Sequence, residues 1–133
     1  MKTFLLALLM SIPSALFAQQ NAAKDTVYNG KDVDKSPEYP GGNEEWLKHL
    51  SHNIRYPKEA REKGIEGMVV LQLIVNENGS ISNLHVIKSV GGGCDEEAMR
   101  MVDTKKKCSP GIKDGNPVKC YVVVPIKFKL GTD

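Results

Sequence analysis

The sequence predicts a small α+β domain in which two main helices pack on one face of a three-stranded antiparallel sheet. Two long stretches show the period-two side-chain alternation of strands. An Asn-Gly turn separates the first of these stretches from a return strand. Apolar residues at helical spacing precede and follow this hairpin. A hairpin, a helix and a third strand together favour helices on one face of an antiparallel sheet.

The first part of the domain contains two predicted helices. Asn43 suits the N-cap of the first, and Glu44 and Glu45 follow in its first turn, where the helix dipole favours acids. Its apolar residues are predicted to form a buried stripe made of Trp46, Leu47, Leu50 and Ile54. The second helix is short, because Pro57 suits a first helical position and Gly64 a position just past a helix end.

Residues 67–76 are predicted to form the first main strand. Both of its faces carry apolar side chains, so we expect it to be covered on both faces and central in the sheet. The pair Asn78-Gly79 supplies the positive φ angles of a tight turn, and residues 81–89 form the return strand. The next helix is predicted to face the sheet with Cys94, Ala98, Met101 and Val102.

The last strand, residues 118–130, carries the main functional prediction. Its even-numbered residues are all apolar, whereas its odd-numbered residues are mostly charged or amphipathic, as in a half-buried antiparallel strand. Pro125 has no N–H to donate, and the lysines beside it discourage self-association, so we expect an edge strand. An edge of this kind can accept an extended peptide as an added strand, which predicts a peptide-binding module.

The N-terminal region is predicted to lie outside the folded domain. Residues 1–18 combine an early lysine, a short apolar run and a small residue before Gln19, which is typical of a secretory signal peptide. The run is short and interrupted, so cleavage is favoured over retention as an inner-membrane anchor. Residues 19–36 are polar without periodicity and predict a flexible leader. Residues 37–131 then form a single exported domain.

Composition and motifs argue against several classes of function. The 18 basic and 16 acidic side chains nearly balance, so nucleic acid is not an expected partner. No serine–histidine–acid or paired-carboxylate pattern stands out, and we predict neither catalysis nor a small-molecule substrate. His49 and His52 are three residues apart, but no third ligand is placed with them, so we expect no metal or other cofactor. A secreted thiol or metal enzyme using Cys94 or the histidines is the alternative.

Three cysteines in an exported chain predict one disulfide and one free thiol. Cys108 precedes a Pro-Gly turn and Cys120 lies in the strand that follows. Their pairing would close a short loop, and we favour it over any pair that includes Cys94. Three buried free thiols are the alternative.

A series of landmarks runs through residues 37–130 in a distinctive order. They are Tyr56-Pro57, Ala60, Gly64-Ile65, Gly67, Asn78-Gly79-Ser80-Ile81, Ser89, Asp95-Glu96-Glu97-Ala98, Pro110-Gly111, Gly115, Pro117-Val118, Val124-Pro125, Phe128 and Leu130. In order and spacing this series resembles the C-terminal domain of TonB. A Pro-Gly-Gly before a helix that contains Trp46 is similar to the Bacteroidetes-type members of that family.

The resemblance implies a periplasmic domain that takes part in TonB-dependent transport and energy transduction. Its partner would be the TonB box, a short segment of TonB-dependent outer-membrane transporters, which adds as a strand to the sheet. Residues 119–126 would be the docking edge, with Tyr56 and Pro57 near the contact surface. The partner-binding residues predicted in this way are Tyr56, Pro57, Lys119, Tyr121, Val122, Val123, Val124, Pro125 and Ile126. Exposed edges would also allow the domain to form a homodimer.

This chain departs from the family pattern in two respects. The family often has a tryptophan before the Pro-Gly, where this chain has Cys108 and Ser109. A disulfide from Cys108 to Cys120 would brace that loop in its place. We also expect neither the transmembrane anchor nor the long proline-rich spacer of full-length family members ahead of this domain. The alternative function is therefore a freestanding periplasmic module that binds another envelope partner without transmitting force.

Overall fold

The computed structural model describes residues 25–131 of the 133-residue chain. The predicted signal peptide, residues 1–18, and the first part of the predicted leader lie outside the described residues. Within the described part, no helix has the length and apolar character needed to cross a bilayer.

Five strands and three α-helices lie wholly within residues 25–131. The strands are β1 (Val27–Tyr28), β2 (Gly67–Val75), β3 (Ile81–Lys88), β4 (Gly111–Lys113) and β5 (Asn116–Phe128). The helices are α1 (Asn43–Asn53), α2 (Lys58–Lys63) and α3 (Cys94–Met101), and a 3₁₀ turn covers Gly30–Asp32. The predicted α+β class is confirmed, and the short strands β1 and β4 add to the three strands that were predicted.

The sheet has the strand order β1-β5-β2-β3. β2 is central, as predicted: it pairs antiparallel with β3 through the hairpin and with β5 from Gly67↔Phe128 to Val75↔Cys120. β5 also pairs with two short strands. β1 runs parallel to it opposite Lys119 and Cys120, and β4 pairs antiparallel with its first residues. Strands therefore lie on both sides of β5 at Cys120, which pairs with Tyr28 of β1 and with Val75 of β2.

The second half of the predicted leader belongs to the fold. It contains β1, and Lys35 forms an antiparallel bridge with Ile112. The backbone N–H groups of Asp34 and Lys35 both donate to the carbonyl of Ile112, at 2.8 and 3.1 Å. The prediction that residues 19–36 are flexible is therefore wrong from Val27 onward. Backbone hydrogen bonds hold this polar segment, and side-chain periodicity does not reveal them.

The core lies between the helices and one face of the sheet. Its buried side chains are Ala60, Val69, Leu71, Leu73, Val75, Cys94, Ala98, Met101, Cys120, Ile126 and Phe128. The predicted alternation of β2 and β5 is confirmed, since the buried residues of β2 are two positions apart and those of β5 all have even numbers. The predicted sheet-facing side of α3 is confirmed at Cys94, Ala98 and Met101. The opposite face of β2 is less covered than we expected, and Met68 there is 40% exposed.

α1 contributes less to the core than its sequence predicts. Trp46, Leu50 and Ile54 are half-buried and pack against the core. Leu47 is 55% exposed, so the predicted stripe is wrong at this residue. Consecutive residues of an α-helix point about 100° apart, and α1 therefore cannot turn both Trp46 and Leu47 towards the sheet.

The turn between β2 and β3 is fixed against the loop that follows α3. Gly79 has a φ of +87°, and its carbonyl accepts a hydrogen bond from the backbone N–H of Cys108 at 2.8 Å. A Cβ at Gly79 would collide with the carbonyl oxygen of Cys108. The predicted turn is thus confirmed, but Gly79 alone of the Asn78-Gly79 pair has a positive φ. Glycine is also required by this close approach to Cys108.

Candidate peptide-binding edge

The C-terminal part of β5 forms an exposed sheet edge. Within the described chain, residues 121–128 pair with β2 on one side and with no strand on the other. We call this stretch the open edge. Six of the predicted partner-binding residues, Tyr121, Val122, Val123, Val124, Pro125 and Ile126, lie on it. Lys119 does not, because it pairs with Val27 of β1. The predicted docking edge is therefore shorter at its start than expected.

The position of Pro125 indicates which backbone groups face outward. Pro125 stands opposite Val70 of β2 and has no N–H. The β2–β5 ladder keeps all its hydrogen bonds only if the backbone of Pro125 faces away from β2. Backbone direction alternates along a strand, so the N–H and C=O groups of Val123 and Lys127 face the same way. These groups present donors and acceptors to an added strand.

The side chains of the open edge divide between two environments. Val122 and Val124 are half-buried on the helix side of the sheet, and Ile126 is only 1% exposed there. Val123, on the opposite face, is 54% exposed, and Pro125 is exposed as well. The edge therefore has one apolar side that continues into the core and one side that meets solvent.

A groove of about 290 Å³ runs along the apolar side of the open edge. We call it the edge groove. It is lined by Val122, Val123, Val124 and Pro125 of β5, by Leu73, Val75 and Ile81 of the hairpin, and by Pro37, Glu38, Tyr39, Asn43, Trp46, Val102, Asp103, Lys106 and Cys108. Three other segments of the chain, residues 37–46, the hairpin and residues 102–108, thus meet beside residues 122–125.

Aromatic side chains form one wall of the edge groove. The ring centroids of Tyr39 and Trp46 are 5.3 Å apart, and that of His49 is 6.0 Å from Tyr39 and 5.7 Å from Trp46. His49 Nε2 lies 2.8 Å from the carbonyl oxygen of Met101, which ties α1 to the end of α3. Lys106 Nζ donates to the Tyr39 hydroxyl at 3.2 Å, and this hydrogen bond raises the pKa of Lys106. The wall is therefore a connected cluster rather than a set of loose side chains.

Tyr56 and Pro57 are not brought to the edge groove. The Tyr56 ring meets Phe128 edge-on at 5.8 Å, and its hydroxyl donates to the carbonyl of Ile65. Burial raises the pKa of this hydroxyl. Pro57 is the N-cap of α2 and lies against Gly93. Tyr56 thus packs against the C-terminal end of the open edge, and Pro57 packs beside the start of α3. The partner contact that the family resemblance implies for these two residues stays a prediction.

The three cysteines are free thiols in the structure. The predicted Cys108–Cys120 disulfide is not formed: Cys120 is buried in β5, and Cys108 lines the edge groove half-buried. Burial raises the pKa of both thiols. Cys94 is fully buried at the start of α3, and burial together with the charges of Asp95 and Glu96 raises its pKa. An uncharged thiol at Cys94 is a core side chain and a poor nucleophile.

Sequence reasoning missed the groove wall. Trp46 was predicted as a core residue, and Tyr39 and Lys106 were not assigned to a site at all. The one available signal is the position of Tyr39 in the Pro-Gly-Gly segment just before α1. Within residues 25–131, no three histidine, cysteine or acidic side chains come close enough to hold a metal ion. The geometry offers hydrogen bonds along the edge and an apolar surface beside it.

Comparison with known proteins identifies the family. Residues 52–130, more than half of the chain, match the model of the family described as Gram-negative bacterial TonB protein C-terminal. The chain belongs to this family. It is 36% identical to protein TonB of Vibrio cholerae over 77 residues, which are 57% of this chain and 31% of the relative. It is 39% identical to protein TonB of Helicobacter pylori over 54 residues, 38% of this chain and 19% of the relative.

A solved structure supports the TonB C-terminal fold. The solution structure of the Helicobacter pylori TonB C-terminal domain is similar to this chain with a TM-score of 0.52 and 26% identity, covering 71% of this chain and 89% of that domain. The TonB C-terminal family is non-catalytic, which confirms the prediction that this domain is not an enzyme. The chain spans less than a third of the length of the V. cholerae and H. pylori TonB proteins that it matches.

Proposed function

We propose that this domain binds the TonB box of an outer-membrane transporter as an added strand along the open edge. This proposal is based on the open edge. Residues 121–128 of β5 are unpaired on one side within the described chain, and the backbone groups of Val123 and Lys127 face that side. Strand addition satisfies such groups with main-chain hydrogen bonds, whatever the peptide sequence.

Family membership supports the cellular setting of the proposal. TonB C-terminal domains belong to Gram-negative bacteria, and the apolar N-terminal residues predict export. We therefore place the domain in the periplasm, where it would reach transporter segments that protrude from the outer membrane. We propose in addition that the domain takes part in energy transduction for transport. This role is a proposal because the chain matches only part of each TonB relative.

The direct test is a titration of the exported domain with a synthetic peptide that copies the TonB box of a transporter from the same organism. Backbone amide NMR would follow the binding. We expect the largest shifts within residues 121–127 and small shifts in β3, the opposite edge of the sheet. Open edges can also pair with each other. The titration should therefore use a protein concentration at which sedimentation shows that the domain is a monomer. Absence of shifts in β5 at millimolar peptide would overturn the proposal.

A variant pair isolates the backbone contribution. Val123→Pro removes the outward N–H at the centre of the open edge and leaves the β2 ladder intact, since that N–H does not face β2. Val123→Thr keeps the N–H and the branched shape, so it serves as the matched control. One lost hydrogen bond should weaken peptide binding about two- to tenfold in Val123→Pro. Equal affinity of the two variants would contradict strand addition at this position.

A further inference from the structure

We propose that the edge groove selects the peptide by holding the apolar side chains of two alternate residues of the added strand. This inference rests on the proposed function, because it needs a strand beside β5. A strand added to a sheet lies about 4.8 Å from its neighbour. Residues 122–125 line the groove and belong to the open edge at the same time. The added strand would therefore run directly along the groove.

The register decides which peptide side chains enter. Residues opposite each other on neighbouring strands point to the same face of the sheet. Val122 and Val124 point to the helix side and line the groove, so the peptide residues opposite them point into it. The peptide residue between them points to the other face, where Val123 is 54% exposed. Selectivity should thus follow an i, i+2 pattern.

The boundaries of the groove limit the number of anchors to two. Before Val122, β1 already occupies the edge at Lys119 and Cys120. After Val124, the helix side is closed by the core, since Ile126 and Phe128 are only 1% and 2% exposed. A volume of about 290 Å³ is below the usual range of drug-sized pockets. It suits a pair of side chains of an extended peptide.

The lining determines the chemistry of these anchors. Leu73, Val75 and the Tyr39–Trp46 pair make the surface mainly apolar and aromatic. Lys106, the cationic lining residue, is held by the Tyr39 hydroxyl at 3.2 Å. A charged anchor would lose its hydration against this surface. Of the charged lining residues, Asp103 already accepts a hydrogen bond from the backbone N–H of Lys105 at 3.0 Å, and Glu38 is exposed to solvent. Aliphatic or aromatic anchors are therefore preferred over charged ones.

An alanine scan of the bound peptide tests the pattern. Each peptide position is replaced singly by alanine, and the affinity for the exported domain is measured. Losing a buried aliphatic side chain should weaken binding about tenfold at two positions that lie two residues apart. The position between them should change affinity less than about twofold. The same affinity for every alanine-substituted peptide would overturn the inference. So would affinity losses at the peptide positions that face Val123.

Two residues of the groove report occupancy without any substitution. Trp46 is the single tryptophan of the chain, so its fluorescence reports the groove wall alone. Cys108 is the one cysteine that is not buried, since Cys94 and Cys120 have 0% exposure. Binding of the unmodified peptide should shift Trp46 emission and slow alkylation of Cys108. A peptide with alanine at both anchors, at a concentration that gives equal edge occupancy, should do neither.

The readouts separate the two proposals. Amide shifts in the open edge without any change at Trp46 or Cys108 would refute the groove and leave strand addition standing. Absence of amide shifts in the open edge would refute strand addition itself. We expect amide shifts in the open edge, a shift of Trp46 emission and slower alkylation of Cys108, together with affinity losses at two peptide positions that lie two residues apart.

Discussion

A substitution at Gly79 should test the contact between the hairpin turn and the loop that carries Cys108. The change is Gly79→Ala. At a φ of +87° an alanine costs about 1 kcal/mol, because its Cβ disfavours the left-handed region. The new Cβ would also lie well inside the 3.0 Å that real Cβ atoms respect, and the atom it meets is the backbone oxygen of Cys108. Backbone cannot rotate away as a side chain does.

The magnitude follows from these two effects. Relieving the collision must move the loop and weaken the 2.8 Å hydrogen bond from Cys108 to the Gly79 carbonyl, a loss of about 1 kcal/mol. Overpacking adds about 1 kcal/mol or more. The free energy of unfolding should therefore fall by about 3 kcal/mol. In a domain of this size each kcal/mol lowers Tm by roughly 4–8 °C, so the melting temperature should drop by more than about 10 °C.

Gly115 supplies the matched control. It has a φ of +79° in the turn before β5, and a Cβ there would meet nothing within 4 Å. Gly115→Ala should therefore cost only the backbone preference, about 1 kcal/mol. Thermal unfolding followed by circular dichroism would compare the two variants with the unaltered domain. Equal melting temperatures for the two variants would refute the close approach of Gly79 to Cys108.

Two further predictions concern the helices. Glu97→Gln should lower stability by about 1 kcal/mol at pH 7, because the Glu97 carboxylate accepts hydrogen bonds from Arg100 at 2.6 and 2.9 Å. Since that hydrogen bonding holds the pKa of Glu97 below its usual value, the advantage over the variant should be complete above about pH 5 and disappear as the pH falls through the lowered pKa. Urea unfolding at a series of pH values would show this, and a pH-independent difference would count against it. Leu47→Ser should change the free energy of unfolding by less than about 0.5 kcal/mol, because Leu47 is exposed. Leu71→Ala, in the buried core, should lower it by about 2–5 kcal/mol. Equal losses of stability in the two variants would contradict the orientation of α1.

The open edge combines accessibility with protection against self-association. It is only eight residues long, numbers 121–128, because β1 pairs with β5 at Lys119 and Cys120. Pro125 removes one donor from it, and Lys127 places a charge beside it. A transporter peptide that supplies its own apolar anchors would overcome these devices more readily than a second copy of the domain. A homodimer stays a prediction, which sedimentation of the free domain would test.

Local sequence patterns determined most of the secondary structure. The alternation in β2 and β5 followed from residues two apart, and the α3 face followed from Cys94, Ala98 and Met101. The Asn-Gly turn and Gly64, which has a φ of +65° at the end of α2, were likewise predicted from single residues and their backbone preferences. These features depend on neighbours in sequence, so the sequence alone carries them. The same patterns predicted a binding edge on β5, which stays a prediction until a peptide is tested.

Only the tertiary structure decided how much of that edge is open and what lies beside it. The pairing of Val27 with Lys119 and the bridge from Lys35 to Ile112 join residues far apart in sequence through backbone groups, which leave no side-chain pattern. The groove wall arises in the same way, because Tyr39 and Lys106 come from distant segments. Periodicity describes which face of an element is buried. It cannot say which other segment will cover that face, because that choice depends on the packing of the whole domain.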